Sequence, residues 1–299
     1  MRIFVTGGTG ILGRSVVPLL RARGHEVAVL TRSASAADDA GSVRGDLADA
    51  DTVAGALRDF GPEVALHLAW QGLPDYALPQ TLQNLDLSLR FFSLAAQAGC
   101  RAIVSTGSCW EYVARTGQLA EDAPTGGVEP FVAAKNSLRA LGESIANAHG
   151  ARFAWLRLFF VYGPGQRPNS LVPSVIEAVR RGERPALKAP YNRHDFVFVD
   201  DVASAMAAVI ERRPPGSVYN VGSGYPTAVA DVTAAAERLL GRSQPTAIPD
   251  GTPQQNFWAD ISRLHRDTGW QPAYDLESGL RATLGVAGSV AVSAAGSPA

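Results

Sequence analysis

The sequence predicts an α/β fold: a doubly wound parallel sheet carrying a smaller, discontinuous C-terminal lobe for a substrate. Three observations predict it. In RIFVTGGTGILG an apolar strand stops at a glycine cluster and an amphipathic helix begins at once. Apolar runs and helical segments then alternate as far as Tyr162. Beyond that residue the rhythm loosens into GPGQRPNSLVP and further helices and loops.

Ile3, Phe4 and Val5 supply the first strand, and Leu12, Val16, Leu19 and Leu20 recur at the helical period of the first helix. Between them Gly7, Gly10 and Gly13 fall at the spacing GxxGxxG. Glycine lets the backbone approach a ligand, and a helix N-terminus offers unpaired N–H groups with partial positive charge. Gly7, Thr9, Gly10, Ile11, Leu12 and Gly13 are therefore the candidate contacts for a dinucleotide pyrophosphate. The second strand, HEVAVLTR, ends in Arg32, and no Asp or Glu lies between Val27 and Ala37. An acidic residue there would bond a ribose 2′-hydroxyl, whereas arginine suits a 2′-phosphate. The pattern favours NADP over NAD, with Ser33 a possible second phosphate contact; the alternative for Arg32 is a solvated loop cation.

The remaining strands are SVRGD, VALHLA, AIVSTGS and FAWLRLFFVYG, nearly continuous in apolar residues as strands covered on both faces are. Helices lie at about 11–23, 51–59, 79–98 and 131–148. A helix follows at about 170–181, HDFVFVDD reads as a short strand entering a helix near 200–212, and SVYNVGSG reads as a last strand with a turn. From about Thr227 onwards helices and loops are expected. The dinucleotide domain is placed at 1–163 with 195–224, the substrate lobe mainly at 164–286, and a disordered tail at 287–299.

The 299 residues suffice for one large α/β unit with a smaller lobe, and 46% hydrophobic content fits a sizeable core. A net charge of −1, without long runs of either sign, gives no support for nucleic-acid or anionic-membrane binding. Two cysteines without paired spacing fit a reduced, cytoplasmic setting. No signal peptide or membrane-spanning stretch is read, and no histidine spacing suggests a metal.

TGGTGILG, GDLAD, HLA, Asn84, STGSCWEY, the AAK ending at Lys135, VYGPGQ, DFVFVDDVA, YNVGSG and DISRLHRDTGWQP together resemble the extended short-chain dehydrogenase/reductases. That branch includes nucleotide-sugar epimerases, dehydratases and 4-ketoreductases. The resemblance implies a Rossmann domain, with Asp46 and Leu47 bordering the adenine, Leu68 and Ala69 meeting the cofactor across the sheet, and a structural Asn84. It also implies a catalytic tyrosine four residues before Lys135, which would hold the nicotinamide ribose, and Ser108 as the hydroxyl that polarises a substrate carbonyl. Position 131 is phenylalanine, so the ring survives and the hydroxyl does not.

Tyr112, Tyr162, His194 or ordered water are the candidates to replace that hydroxyl. Each side chain has a bland alternative as pocket wall or core. For the substrate, the resemblance implies Asn169, Leu171 and Val172 at the lobe junction, with Lys188, Arg193 and Arg167 near base and phosphates; Trp110, Trp70 and Trp258 are candidate sugar-pocket walls. The expected activity is NAD(P)-dependent hydride transfer on a nucleotide-linked keto sugar, of 4-ketoreductase or epimerase type, with an atypical proton donor. The alternative is a non-catalytic dinucleotide sensor. A homodimer through the helices at 79–98 and 131–148 is implied by the resemblance alone.

Overall fold

Strand β1 (Arg2–Thr6) shows how the sheet is covered on both faces: Ile3 and Val5 enter one hydrophobic cluster and Phe4 the other, as a two-residue period requires. In the computed structural model, which describes residues 1–32, 41–242 and 251–285, β1 lies within a seven-stranded sheet. Its order is β3 (Ser42–Arg44), β2 (Glu26–Thr31), β1, β4 (Val64–His67), β5 (Ala102–Ser108), β7 (Arg152–Leu158) and β11 (Val218–Val221). All neighbours are parallel.

Helices α1 (Ile11–Ala22) and α6 (Val199–Arg212) cover one face through Val16, Leu20, Met206 and Ile210. Helices α2 (Ala50–Phe60), α3 (Leu78–Gln97) and α4 (Pro130–Ala148) cover the other through Leu57, Phe91, Phe92 and Leu138. This is the doubly wound Rossmann arrangement. The chain leaves β1 for β2 on one side and later returns to β4 on the other, so a crevice opens at their carboxyl ends, where ligands of such sheets bind.

The run FAWLRLFFVYG is two strands, not one. It leaves the main sheet after Leu158, where the Phe159 N–H bonds the Val221 carbonyl, and β8 (Phe160–Tyr162) pairs instead with β10 (Phe196–Phe198). A further sheet, in the order β12 (Thr227–Ala228), β9 (Arg193–His194), β13 (Asn256–Ala259) and β6 (Thr116–Leu119), corrects the expectation of helices and loops alone after Thr227. Each strand is short and pairs with a segment remote in sequence, so no local pattern announces it. Helices α5 (Leu171–Arg180), α7 (Val229–Leu239) and α9 (Leu276–Leu284) pack with β8 and β10 around Val172, Val175, Phe198 and Val232; α8 (Ser262–Thr268) follows β13. The expected tail at 287–299 and Ser33 lie outside the described residues.

A buried polar cluster joins this second layer to the sheet. The Glu111 carboxylate accepts from the Ser108 N–H at 2.7 Å, from Trp155 Nε1 at 3.0 Å and from Arg157 Nε at 2.9 Å. Arg157 also donates to the Tyr112 hydroxyl and to the Glu121 carbonyl. Tyr112 donates in turn to Asn220, whose amide reaches the Leu119 carbonyl on β6. Gly107 makes the arrangement possible, since a Cβ there would fall 2.2 Å from both Glu111 Oε1 and Trp155 Nε1.

Removing one partner of a buried ion pair leaves the other charge uncompensated and costs about 3–5 kcal/mol. Glu111→Ala should therefore lower the unfolding free energy from urea titration by an amount in that range, with a matching fall in midpoint, while Glu111→Gln, which keeps an acceptor, should lose less. An unchanged midpoint for the alanine variant would contradict the role given to this carboxylate.

Candidate active site

The turn after β1 is built by steric necessity. Gly7 has φ +74°, and a Cβ there would lie 2.6 Å from the Ala69 nitrogen; a Cβ at Gly13 would lie 2.4 Å from the Gly8 backbone. At Gly10 an added Cβ would meet only the Gly7 carbonyl, at 3.3 Å, so that side of the turn stays open. No acidic residue sits in the first turn of α1 to neutralise its positive end. A cavity of about 570 Å³ follows, lined by Thr6, Gly7, Thr9, Gly10, Leu30, Arg32, Leu47, Leu68 and Ala69 among others. Ile11 and Leu12 pack their side chains against the second lobe's core, so only their backbone N–H groups can serve a ligand. An open backbone cradle, an unneutralised helix end and apolar walls for a base fit a dinucleotide.

Arg32 projects at the rim with its side chain 63% exposed, bonding Gln71 at 3.3 Å and lying 3.8 Å from Asp46. Asp46 is not among the residues lining the cavity, and its carboxylate accepts from the Ala48 N–H. Among the residues lining the cavity, the charge is thus the guanidinium.

Pro130 occupies the first turn of α4, where its missing N–H costs nothing, and this sets Phe131 one turn ahead of Lys135 on a shared face. Lys135 Nζ donates to the Thr106 carbonyl at 3.0 Å and stands 3.9 Å from the centroid of the Trp70 ring, with Phe131 and Trp155 each at 5.7 Å. Burial lowers its pKa to about 8, and the Glu111 carboxylate offsets part of that loss by favouring the charged form.

Ser108 and Phe131 both line a second cavity, of about 800 Å³, between the sheet and the smaller lobe. The Ser108 Oγ accepts from the Trp110 N–H at 3.2 Å, and its hydroxyl also lies within hydrogen-bonding reach of the buried Cys109 thiol. Leu73 borders both cavities, so they adjoin.

The three candidates for the missing hydroxyl fare unequally. Tyr112 is fully buried with its phenol held between Arg157 and Asn220, outside the cavity lining, and burial raises its pKa. Tyr162 lines the cavity, but its hydroxyl points to the Asp275 and Leu276 carbonyls at 3.4 Å, and burial raises its pKa as well. Both tyrosines are structural, and the sequence could not show this because their partners lie far along the chain. His194 lines the cavity, stacks on Phe160 at 4.2 Å and leaves Nδ1 without a partner. Burial lowers its pKa to about 4, so it is a neutral imidazole at pH 7 and a poor acid.

Of the substrate candidates, Trp110, Leu171, Val172 and Arg167 line the larger cavity. Asn169, Lys188 and Arg193 are exposed and absent from its lining, a correction to their expected placement. Arg193 points away because it alternates with the inward His194 on β9. Trp258 is likewise not among the lining residues, whereas Trp70 lines the dinucleotide cavity. Asn84 clamps the loop after β4, accepting from the Gln71 N–H and donating to its carbonyl. Sequence reasoning missed Tyr76, Glu129 and Asn192, which line the larger cavity from loops that have no periodicity to betray them. No group of side chains suited to a metal occurs among the described residues, and no helix among them is long and apolar enough to cross a membrane.

Comparison with known proteins agrees with this geometry. A UDP-glucose 4-epimerase of Mycolicibacterium smegmatis is 29% identical over 95% of this chain and 97% of its own length. A dTDP-glucose 4,6-dehydratase of Xanthomonas campestris is 25% identical over 94% and 91%. Among solved structures, MoeE5 in complex with UDP-glucuronic acid and NAD superposes with a TM-score of 0.83 at 27% identity, covering 96% of this chain and 98% of that one. The Thermus thermophilus UDP-glucose 4-epimerase complex with NAD gives 0.80 at 26% identity, with the same coverage. The profile of the NAD dependent epimerase/dehydratase family matches residues 3–222. With the strand-glycine-helix cradle, the paired cavities and a match over most of its length, this chain belongs to the NAD dependent epimerase/dehydratase family, within the extended short-chain dehydrogenase/reductases.

Proposed function

We propose that this protein transfers hydride between a nicotinamide dinucleotide, preferentially the 2′-phosphorylated form, and the C4 position of a nucleotide-linked sugar, as a 4-ketoreductase or 4-epimerase. The observation that carries this reading is the meeting of the two cavities at Leu73, with Ser108, Phe131 and Lys135 gathered beside the junction. Nucleotide sugars in the names of the relatives support the substrate class.

The bound nicotinamide supplies hydride exchange at its C4. The N-terminus of α1 and the Gly7–Gly13 turn would hold the pyrophosphate, Leu47 and Arg32 the adenosine end, and Lys135 the nicotinamide ribose. Ser108 would turn its hydroxyl proton to the sugar oxygen, and the buried Lys135 ammonium would favour negative charge developing there, more strongly than it would in water. Arg167 is the one Lys or Arg lining the larger cavity among the described residues, which makes it the contact for a diphosphate. The exposed Leu78, Leu82 and Leu141 on α3 and α4 favour a homodimer through that face. The lost phenol at position 131 favours the second reading, a dinucleotide sensor; this reading expects cofactor binding without turnover.

Three measurements separate and test these readings. UDP-glucose and dTDP-glucose with NADP⁺, and their 4-keto forms with NADPH, should give turnover that Ser108→Ala lowers by about 10²-fold or more, the loss typical of one oxyanion donor; no turnover with any of them would leave only the sensor. Arg32→Ala should weaken NADPH binding about tenfold, as loss of a charged hydrogen bond does, with NADH binding unchanged in a fluorescence titration. Lys135 carries its charge below its folded pKa of about 8 and loses it above. Turnover at low substrate should therefore fall about tenfold per pH unit beyond that value. A profile flat to pH 10 would remove Lys135 from the reaction.

A further inference from the structure

We propose that Tyr76, on the loop between β4 and α3, supplies the proton-transfer hydroxyl that position 131 lacks; the assignment rests on the hydride-transfer reading above. Three independent features point to it. The Tyr76 ring packs edge-on against Phe131, with centroids 5.2 Å apart and planes at 72°, so a phenol stands one ring from the position where the family's tyrosine would be. Tyr76 lines the same cavity as Ser108 and Phe131. Its hydroxyl makes no hydrogen bond among the described residues, whereas Tyr162, the other phenol lining that cavity, is turned to two backbone carbonyls.

The loop that carries Tyr76 is held in place. Asn84 binds the backbone N–H and carbonyl of Gln71, the Asp75 N–H closes a turn onto the Gly72 carbonyl at 2.8 Å, and the Asp75 carboxylate accepts from the Ala77 N–H at 2.8 Å. Thr81 reaches back from α3 to the Tyr76 carbonyl. A proton donor fixed in this way keeps its geometry from one turnover to the next.

In the reductive direction a bound reduced dinucleotide would supply hydride to the carbonyl carbon, and the C–O π pair would move onto oxygen. That oxygen takes the Tyr76 proton. The phenolate left behind recovers a proton from solvent, which it reaches because the residue is 47% exposed. In the oxidative direction the hydride would pass to the oxidised dinucleotide while the Tyr76 oxygen takes the alcohol proton and passes its own to solvent.

The test combines turnover with a signal that needs none. Tyr76→Phe should lower kcat by about 10²-fold or more, the share of a positioned general acid, with a smaller change in KM. The double variant Tyr76→Phe/Phe131→Tyr should regain most of the loss, because it returns a phenol to the face beside Lys135. In protein labelled with 3-fluorotyrosine, the ¹⁹F resonance that Tyr76→Phe removes should shift when UDP-glucose is added, with and without NADP⁺. Turnover that Tyr76→Phe leaves unchanged overturns the assignment and spares the hydride-transfer reading. A shifted resonance in a protein that turns nothing over overturns that reading and the catalytic part of this one, leaving a substrate contact. Absence of both signals overturns the two together.

Discussion

A single buried carboxylate, that of Glu111, holds the catalytic edge of this molecule together. Its acceptors serve the end of β5 through the Ser108 N–H and the neighbouring strand β7 through Trp155 and Arg157. Arg157 carries the connection onward to the Glu121 carbonyl, and Asn220 closes it onto β6. A charged pair in such a place is costly to desolvate, and it persists only when the remaining donors and acceptors are satisfied. Here they are, so the geometry of Ser108 follows from a network whose members Glu111, Tyr112, Trp155 and Arg157 lie outside the cavity lining. The same network explains the sequence TGSCWEY. Gly107 leaves room for the carboxylate, Ser108 caps the short turn Cys109–Glu111, and Tyr112 is consumed as a link in the network.

The second constraint is the enclosure of Lys135. An ammonium with one carbonyl acceptor and aromatic rings on its other sides has lost most of its water, which lowers its pKa while raising the reach of its field. Asp and Glu side chains are absent from its hydrogen bonds. Glu111, which favours the charged form, is engaged by Arg157. The charge is therefore held ready for groups that arrive with a ligand. Phe131, in the cage wall, contributes to this enclosure what a tyrosine ring would, while offering no hydroxyl.

The parts legible in the sequence were those in which the signal and its structural consequence lie within one turn of the chain. The strand, glycine turn and helix at residues 2–22 can be read because the steric demand for Gly7 and Gly13 is local, and Phe131 and Lys135 because a helix brings i and i+4 together. The alternating order of the sheet followed from strands apolar on both faces. What could not be read depends on distant partners. β6 and β13 pair across well over a hundred residues, and the fates of the Tyr112 and Tyr162 hydroxyls are decided by Asn220 and by the Asp275 and Leu276 carbonyls. Arg193 and His194 are adjacent in sequence, yet only the pairing of β9 decides which of them faces the cavity.

These constraints divide the labour between the two lobes. The side assigned to the dinucleotide presents backbone, suited to phosphate by its N–H groups and helix polarity, and its packed glycines tolerate little change. The other side presents Phe159, Phe160, Phe196, Trp110 and Val172, with Ser108, Tyr76, Glu129, Gln166, Arg167, Asn192 and a neutral His194 as its polar points. A cavity of that kind gains most of its binding from apolar contact and uses a few directed bonds to set orientation. His194 sharpens the point: stacked on Phe160 and unprotonated at pH 7, it adds surface and one unpaired ring nitrogen where a cation would add charge. On the proposed function, selectivity on this side would rest on the shape of the sugar and its contacts with the walls more than on the number of phosphates, whereas the proposed choice between coenzymes rests on one exposed guanidinium at the far rim.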